Sequence, residues 1–395
     1  MFRAATIGPS IGITANVSAV AMHVDTVLLK VASRCNLDCG YCYVYHMGNE
    51  SWRSQPKLLT DEVRGLVAGQ LGVLMRDEGR PFSVVLHGGE PLLLGPARLG
   101  ELFAALRGEL GRGCGISVQT NGVLISEDIL DLCEVHDVTL SVSLDGPAEV
   151  HDRFRVDRRQ KPSHARVVAG VERLKRHASS SYLFSGVLAV IDPSSDPITV
   201  YQYFKTLGVP SVDFLYRDGN HSSLPYGKVS AGSVEYGRWI GAILDQYIVD
   251  PAPFRIRMLD DMIKLLLGGA GVKEGVGLTD YGILVIDTDG SVKKNDTLKS
   301  SPLGDGFDAA WSIRTHTLSA IAKSAEFRAY HVAQRPTSLI CEACPVLRVC
   351  GGGMVTHRYK DGSGYDNPTV FCADQKTLIA QMESYLPPLS RCQAA

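Results

Sequence analysis

The alternation of short apolar runs with amphipathic stretches, from residue 25 to about residue 216, constrains the fold more than any other feature. The apolar runs have the length of buried strands, and the segments between them have helical periodicity. Two of these segments open on a capping residue, Thr60 or Ser126. The strand runs are DTVLLKVAS (25–33), FSVVLH (82–87), GISVQTN (115–121), VTLSVSLDG (138–146), YLFSGVLAVID (182–192) and VDFLY (212–216). The helical segments lie near 60–76, 96–109, 126–135, 164–177 and 197–206. The pattern predicts parallel strands joined by right-handed crossovers.

Six such strand–helix units predict an α/β fold, a partial (β/α)6 version of the eight-unit TIM barrel that is open on one side. In barrels of this type the chemistry lies at the carboxyl ends of the strands. The first strand is followed by cysteines, and the next three end in HGGEP (87–91), QTNG (119–122) and SLDGP (143–147). A barrel with a purely structural role would not need four such ends in a row. The sequence therefore predicts a functional site at this edge.

Composition excludes several classes of protein. The chain has 395 residues, of which 45% are hydrophobic, enough for more than one domain. A formal net charge of −2 gives no electrostatic basis for binding nucleic acid or an anionic membrane. No apolar run reaches the roughly 18 residues that a membrane helix needs. The first 22 residues lack the pattern of a secretory signal, so we expect a loose leader or a misassigned start, and a cytoplasmic protein.

The ten cysteines are unevenly placed. Clustered cysteines in a reducing compartment indicate metal ligands more often than disulfides. Three cysteines lie within eight residues, four lie near the C-terminus, and three are scattered. In that order they are Cys35, Cys39 and Cys42; Cys341, Cys344, Cys350 and Cys372; and Cys114, Cys133 and Cys392. The sequence therefore predicts two metal centres.

The first cluster, SRCNLDCGYCY (33–43), offers three thiols where a structural zinc site needs four protein ligands. A four-iron cluster held by three thiolates leaves one iron open to a small molecule. CxxxCxxC is not the common zinc spacing, and Tyr41 directly precedes the last thiol. This stretch resembles the signature of the radical S-adenosylmethionine (SAM) enzymes. The resemblance implies that the open iron binds the amino and carboxylate groups of SAM.

The other strand ends resemble further motifs of the same superfamily, in the same order. A GG pair is usually a turn, and a lone Ser or Arg is usually a capping or solvated side chain, so it is the ordered set that favours cofactor binding. Glycines let the backbone approach a ligand closely, and a glutamate can accept a charge-assisted hydrogen bond from the methionyl ammonium. The resemblance implies an arginine paired with the SAM carboxylate, a serine on its ribose or carboxylate, and an apolar contact with adenine. The implied cofactor-binding residues are Tyr41, Gly88, Gly89, Glu90, Ser143, Arg155 and Leu215.

The second cluster, CEACPVLRVC (341–350) with Cys372 further on, resembles the SPASM extension of radical SAM enzymes that modify peptides and proteins, such as the anaerobic sulfatase-maturating enzymes. That extension holds two auxiliary four-iron clusters. Here Met354 and Asn295 stand where the family has cysteines. The resemblance implies that one auxiliary cluster is lost. The other would be held by Cys341, Cys344, Cys350 and Cys372, with a zinc site as the alternative.

Asp296 follows the position of the lost thiolate. Asp296 is similar in position to the aspartate that acts as a general base on the substrate in the sulfatase-maturating branch. The resemblance therefore makes Asp296 the candidate catalytic residue. Alternatively, Asp296 is a turn residue, or it positions the substrate.

We expect four regions along the chain. They are an N-terminal extension (1–23), the radical SAM partial barrel (24–235), a bridging region (236–310) and a SPASM-like auxiliary iron–sulfur domain (311–395). YGILVIDTDGSVKKND (281–296) predicts two strands around an Asp-Gly turn, flanked by helices near 234–247 and 316–331. The last 55 residues hold little apolar material and are expected to depend on a metal to fold.

Three stretches resemble the maturases that install cyclophane crosslinks in ribosomally made peptides: YVYHMGNESWRSQP (43–56), NDTLKSS (295–301) and the segment 350–372. The resemblance implies a bond between an aromatic carbon and the β-carbon of a residue two positions away. HRY (357–359) would contact peptide or have a structural role in its loop. Three other reactions with the same cofactors remain alternatives: thioether formation, epimerisation and formylglycine formation. The alternative that is not an enzyme is a binding scaffold in which both cysteine groups hold zinc.

The expected cofactors are a SAM-binding [4Fe-4S] cluster, SAM and one auxiliary [4Fe-4S] cluster. The expected partners are a precursor peptide and an external electron donor, flavodoxin or ferredoxin, with neither nucleic acid nor membrane. The chain shows no segment of roughly 80 residues for a dedicated leader-binding domain. Leader recognition is therefore expected to use the barrel, the region near 218–280, or a separate protein.

Overall fold

A computed structural model describes residues 22–278 and 281–386. Its centre is one nine-stranded sheet in the order β7-β6-β5-β4-β3-β2-β1-β8-β9. Neighbouring strands pair in parallel, except β8 with β9, which are antiparallel. The strands are β1 (Thr26–Ala32), β2 (Ser83–Gly88), β3 (Gly115–Thr120), β4 (Val138–Ser143), β5 (Phe184–Val190), β6 (Ser211–Leu215), β7 (Arg255–Ile256), β8 (Ile283–Ile286) and β9 (Val292–Lys293).

Helices connect the strands and pack on the sheet. No helix among the described residues is long and apolar enough to cross a membrane. The α-helices of those residues are α1 (Asp61–Glu78), α2 (Pro96–Leu110), α3 (Glu127–Val135), α4 (Ala148–His151), α5 (His164–Arg176), α6 (Ser180–Leu183), α7 (Pro197–Leu207), α8 (Glu235–Val249), α9 (Arg257–Leu266), α10 (Leu318–Ala322), α11 (Ala325–Ala333), α12 (Leu339–Glu342), α13 (Leu347–Cys350) and α14 (Cys372–Tyr385).

The six predicted strand–helix units are confirmed, with strands β1 to β6 in chain order across the sheet. β1 is buried along nearly its whole length, as expected of a parallel strand covered on both faces. Thr60 caps α1 by accepting a hydrogen bond from the amide of Val63. Ser126 occupies the equivalent place before α3, but its side chain makes no capping hydrogen bond.

The predicted strand pair is confirmed as β8 and β9, with the turn at Gly290, whose φ is +84°. These strands extend the main sheet, because β8 pairs in parallel with β1, Thr26 lying opposite Ile283. The region predicted to bridge two domains therefore supplies two strands to the sheet.

The carboxyl-terminal part differs from the sequence expectation in two respects. The helix expected near 316–331 is divided into α10 and α11, because the hydroxyl of Ser324 accepts from the amide of Phe327 and begins a new helix. The last 55 residues are expected to hold little apolar material and no helix is predicted there, yet α14 has 14 residues, buries Leu378 and Ile379, and packs against α8. Its apolar positions gave a weak periodic signal beside the cysteines. Cys392 and most of the expected N-terminal extension lie outside the described residues.

Candidate active site

A cavity of about 790 Å³ lies at the carboxyl ends of the parallel strands. The loop after β1 contributes three thiols, and the ends of β2, β4 and β6 contribute backbone and side chains. The cavity is lined by these residues from the predicted set: Cys35, Cys39, Tyr41, Cys42, Gly88, Gly89, Ser143, Arg155 and Leu215. The structure therefore brings together nine residues that the sequence separates by 180 positions.

The three thiols lie on one tight turn. The amide of Cys42 donates to the carbonyl of Cys39 at 2.9 Å, and the amide of His46 donates to the carbonyl of Cys42 at 2.9 Å. Burial, followed by the nearby Glu90 carboxylate, raises the pKa of Cys35 to about 12, and burial raises that of Cys42 to about 11. Three buried thiols are a donor set that suits a soft metal centre, and among the described residues no fourth cysteine lines this cavity.

The two glycines at the end of β2 allow this strand end to touch the loop after β1. A Cβ on Gly88 would lie 2.1 Å from the carbonyl oxygen of Ala32, and one on Gly89 would lie 2.2 Å from that of Arg34. Gly88 also has a φ of +142°. Both positions therefore require glycine.

Glu90 lies behind the cavity wall and is completely buried. Its carboxylate accepts hydrogen bonds from the amides of Leu92 (2.9 Å) and Asn121 (2.8 Å) and from the hydroxyl of Thr120 (2.7 Å). Burial raises the pKa of Glu90, and these hydrogen bonds oppose the rise. Unlike the other residues predicted to bind cofactor, Glu90 is not among those that line the cavity.

Arg155 is held in a network on the opposite wall. Its Nη1 donates to the hydroxyl of Tyr41 at 2.7 Å, and that hydroxyl donates to Oδ2 of Asp145 at 2.5 Å. The buried Nε of Arg155 has no hydrogen-bond partner among the described residues. Arg155 lines the cavity, and a guanidinium with an unused donor suits an anionic ligand such as a carboxylate.

Three further residues of this wall were missed in the sequence. Gln119 donates to the hydroxyl of Ser143 at 2.9 Å, and Asp145 orients Tyr41. Arg217 lines the cavity with its guanidinium carbon 4.2 Å from the ring centre of Phe154. Gln119 and Asp145 stand inside the QTNG and SLDGP strand ends, which offered a signal; Arg217 follows β6 without one.

Asp296 is placed differently from the other predicted residues. It is completely buried and is not among the residues that line the cavity. Its Oδ2 lies 2.8 Å from Nζ of Lys30, and its Oδ1 lies 2.6 Å from Nζ of Lys299. Burial opposes ionisation, but the two lysines hold the pKa of Asp296 well below its usual range. Asp296 is therefore a carboxylate fixed between two cations.

Next to Asp296, the positions that lack the family's cysteines enclose a glutamate. Nδ2 of Asn295 donates to Oε1 of Glu274 at 2.5 Å, and a Cβ on Gly275 would lie 2.7 Å from Cγ of Met354. Glu274, Gly275, Asn295 and Met354 all line the cavity. Burial raises the pKa of Glu274 to about 7. Reasoning from the sequence missed Glu274, which lies in a stretch without a periodic pattern.

The second group of thiols lies around a separate, small cavity of about 20 Å³. Cys341 and Cys350 are buried, and the amide of Cys344 donates to the carbonyl of Cys341 at 3.0 Å. The neighbours are largely apolar, among them Ile340, Val346 and Leu347. The sulfurs come from Cys341, Cys344, Cys350 and Cys372. Each cysteine of the described residues is free of disulfides, and a closed four-thiol set suits either a cubane cluster or zinc.

Comparison with known proteins finds a family match for the segment that forms most of this edge of the sheet. Residues 29–193 match the family model of the Radical SAM superfamily. A cysteine-type anaerobic sulfatase-maturating enzyme of Clostridium novyi is 24% identical over 390 residues, covering 93% of this chain and 98% of the relative.

Two solved structures share the fold. Native anSMEcpe with bound AdoMet gives a TM-score of 0.78 at 21% identity, covering 91% of this chain and 97% of that one. Streptococcus suis SuiB bound to precursor peptide SuiA gives a TM-score of 0.59 at 13% identity, covering 89% and 76%. The chain is thus an enzyme with an α/β radical SAM fold, and a [4Fe-4S] cluster and SAM are its cofactors.

Proposed function

We propose that this chain acts as a radical SAM enzyme that modifies a ribosomally synthesised precursor peptide and forms a carbon–carbon crosslink between an aromatic ring and a β-carbon. One observation carries the proposal. A single cavity is lined by the three thiols at one place and by the Glu274–Asn295–Met354 group at another, so a peptide side chain in it would meet both. The likeness to sulfatase-maturating enzymes and to a structure holding a precursor peptide supports a peptide substrate.

The cofactor assignments are part of this proposal. Cys35, Cys39 and Cys42 would hold the cluster, and the unused Nε of Arg155 would take the SAM carboxylate. When bound, the cluster and SAM supply a 5′-deoxyadenosyl radical, which removes a hydrogen atom from an unactivated carbon. The residues proposed to contact SAM are Tyr41, Gly88, Gly89, Glu90, Ser143, Arg155 and Leu215. Glu90 lies behind the cavity wall and already accepts three hydrogen bonds, so the wall at Gly88 and Gly89 would have to shift for its carboxylate to reach the cofactor.

The protein's own contribution is to position the substrate and to exclude water. Walls made by parallel strands fix the peptide carbon with respect to the cofactor, and such positioning lowers the barrier without further chemistry. Arg155 and Tyr41 are held by Asp145, so the wall that meets the cofactor is rigid before the cofactor arrives.

The carboxyl-terminal region completes the proposal. Residues 24–235 would form a partial barrel, 236–310 a bridging region and 311–395 a SPASM-like domain, in which Cys341, Cys344, Cys350 and Cys372 hold one auxiliary [4Fe-4S] cluster. Crosslinking removes one electron more than hydrogen abstraction does, and this cluster would take it up. An external flavodoxin or ferredoxin would supply the electron that starts each cycle.

Asp296 remains a candidate for accepting the substrate's proton. Its two ion pairs set a condition, because Lys30 or Lys299 must first move away before the carboxylate can reach the cavity. Holding those lysines, and through Lys30 the end of β1, is the alternative role.

Formylglycine formation is the second candidate, favoured by the similarity to a sulfatase-maturating enzyme along nearly the whole chain. The two products differ in chemistry, because formylglycine carries an aldehyde that reacts with hydrazides and a crosslink does not.

Anaerobically reconstituted enzyme, incubated with SAM, a reductant and a synthetic peptide that carries repeated aromatic-x-x motifs, tests the proposal. We expect a product that has lost two hydrogen atoms, resists hydrazide and fails to fragment between the joined residues in tandem mass spectrometry. A hydrazide-reactive product would establish the second candidate instead, and unmodified peptide would contradict crosslinking of this substrate.

A further inference from the structure

We propose that Glu274 is the catalytic residue that accepts the proton released from the peptide when the crosslink forms. This inference rests on the proposed function and assigns a step within it. Glu274 belongs to no motif that the sequence analysis singled out.

The position of Glu274 is the first argument. It lines the same cavity as the three thiols, although its side chain is only partly exposed. Asn295 and Met354, which stand where the family has cysteines, lie on either side of the Glu274–Gly275 segment. The place at which the sequence implies a lost auxiliary cluster therefore presents a carboxylate to the cavity.

The second argument is the hydrogen bonding of Glu274. Its side chain accepts a hydrogen bond from the neutral amide of Asn295, which donates to Oε1 at 2.5 Å. Within the described ranges, no lysine or arginine lies within ion-pair distance of this carboxylate, and its second oxygen accepts no hydrogen bond. A carboxylate without a cation can take up a proton without first breaking an ion pair.

Three of the four other carboxylates that line the cavity among the described residues already bind cations or hydrogen-bond donors: Asp213, Asp260 and Asp261. Asp213 pairs with Lys273 at 2.6 Å and with Arg257 at 3.4 Å. Asp260 accepts from Tyr247 at 2.5 Å and pairs with Arg255 at 3.2 Å. These two are committed to holding charged and polar neighbours in place.

Asp261 is also engaged. It accepts from the backbone amides of Val272 at 3.0 Å and Lys273 at 3.0 Å, and so fixes the start of the loop that carries Glu274. Asp218 lies 3.6 Å from Nε2 of His357, too far for a hydrogen bond. Glu274 and Asp218 are thus the cavity carboxylates of the described residues that pair with no lysine or arginine, and of the two it is Glu274 that Asn295 orients.

The electrostatic surroundings suit a base that works near neutral pH. Burial raises the pKa of Glu274 to about 7; the Asn295 hydrogen bond and Lys273 oppose the rise, while Asp218 adds to it. Burial raises the pKa of Tyr43, Tyr281 and Tyr330, and the nearby charge of Glu274 adds to each rise. A general base is most effective when its pKa lies close to the working pH.

Asp296 offers the contrast. Its lysine partners hold its pKa well below its usual range, so as a base it would have little affinity for a proton. It also lies outside the set of cavity-lining residues.

The bound cofactor would supply the oxidant that removes a hydrogen atom from the β-carbon, and the β-carbon would then bond to the arene. The arene carbon must next lose its hydrogen to restore aromaticity. The proton would go to Glu274, and the electron would go to the four-iron cluster that Cys341, Cys344, Cys350 and Cys372 would hold. Glu274 later releases the proton to water as the product leaves.

The test compares wild type with Glu274→Gln, which keeps an acceptor for Asn295 but cannot take a proton, and with Glu383→Gln as a matched control on an exposed carboxylate. The probe is the synthetic peptide used to test the proposed function, deuterated at its β-carbons. For Glu274→Gln we expect crosslinking to fall by about 100-fold or more. Deuterium should still reach 5′-deoxyadenosine at a rate within about twofold of wild type, because abstraction precedes the proton transfer.

The pH profile separates catalysis from structure. Wild-type crosslinking should rise with pH through about 7, because Glu274 accepts a proton only in its ionised form. Glu274→Asp should restore part of the rate, and Glu274→Gln should lose the dependence while keeping its melting temperature and SAM affinity. An infrared titration of peptide-free protein should show a carboxyl band that disappears near pH 7 in wild type and is missing in Glu274→Gln.

Normal crosslinking in Glu274→Gln would overturn the assignment, and so would the absence of that carboxyl band. Loss of deuterium transfer together with crosslinking would also overturn it, since Glu274 would then act before the bond forms. A wild type that abstracts hydrogen but yields no crosslink would instead contradict the proposed function.

Discussion

The two groups of thiols differ in their surroundings more than in their spacing. The first has three sulfurs at the edge of a cavity of about 790 Å³, among arginine, tyrosine and serine side chains. The second has four sulfurs around a cavity of about 20 Å³ with largely apolar neighbours. The contrast indicates that the group with three thiols leaves space for a ligand, whereas the group with four thiols encloses a space too small for one. Predictions that act on one group and spare the other test this comparison.

Removing the open group should have the largest effect. In Cys35→Ala/Cys39→Ala/Cys42→Ala, we expect iron after reconstitution to fall from about eight to about four per chain, because one of two cubanes is lost. SAM cleavage should disappear, since no cysteine nearby in the described residues replaces the ligands. Iron analysis and chromatography of 5′-deoxyadenosine measure both. About twelve irons in wild type would show that Asn295 and Met354 do not mark a lost cluster.

Removing the closed group should mainly affect stability. Cys341→Ala/Cys344→Ala should also leave about four irons, but the melting temperature should fall, because a structural centre contributes folding energy. SAM cleavage without peptide should persist at a reduced level. Calorimetry and 5′-deoxyadenosine formation distinguish the two effects. Equal loss of SAM cleavage in both cysteine variants would contradict the division of labour, and zinc in place of four irons would remove the second group from electron transfer.

A substitution of Arg155, in the wall of the large cavity, should weaken the binding of SAM without changing either metal centre. In Arg155→Lys we expect about a tenfold loss of SAM affinity, about 1.4 kcal/mol, because a lysine cannot provide both the donor to Tyr41 and the unused Nε. Equilibrium dialysis with labelled SAM measures the affinity. Arg159→Lys, on an exposed side chain, is the control. Unchanged affinity would remove Arg155 from the SAM site.

The smallest effect should come from Ser143. Its hydroxyl accepts from Gln119 at 2.9 Å, and one neutral hydrogen bond contributes about 1 kcal/mol. Ser143→Ala should therefore lower SAM affinity only a few-fold, in the same dialysis experiment, while iron content and melting temperature stay constant. A larger loss than that of Arg155→Lys would reverse our ranking of the two contacts.

The parallel strands β1 to β6 could be predicted because their signals are local. β1 to β6 show themselves as apolar runs of strand length, and the residues at their ends meet because parallel strands align their carboxyl ends. Gln119 and Asp145 could have been predicted in the same way, because they belong to the strand ends that the sequence already indicated.

What the sequence could not supply depends on contacts between distant segments. Lys30 and Lys299 meet Asp296 only once β1 and the segment after β9 lie together, so nothing near Asp296 in the sequence reveals its ion pairs. Glu274 owes its raised pKa to burial by segments far along the chain. α14 was missed because its cysteine start and weak periodicity indicated a short metal-bound segment.

The pairing of β8 with β1 has a practical consequence for anyone dividing this protein. A fragment ending at residue 235 would leave the backbone amides and carbonyls along one side of β1 without their partners at 283–286. An apolar strand exposed in this way is a template for intermolecular pairing and aggregation. The portion that carries the three thiols is therefore not a transplantable module, and chimeras with related enzymes should exchange β1 and β8 together.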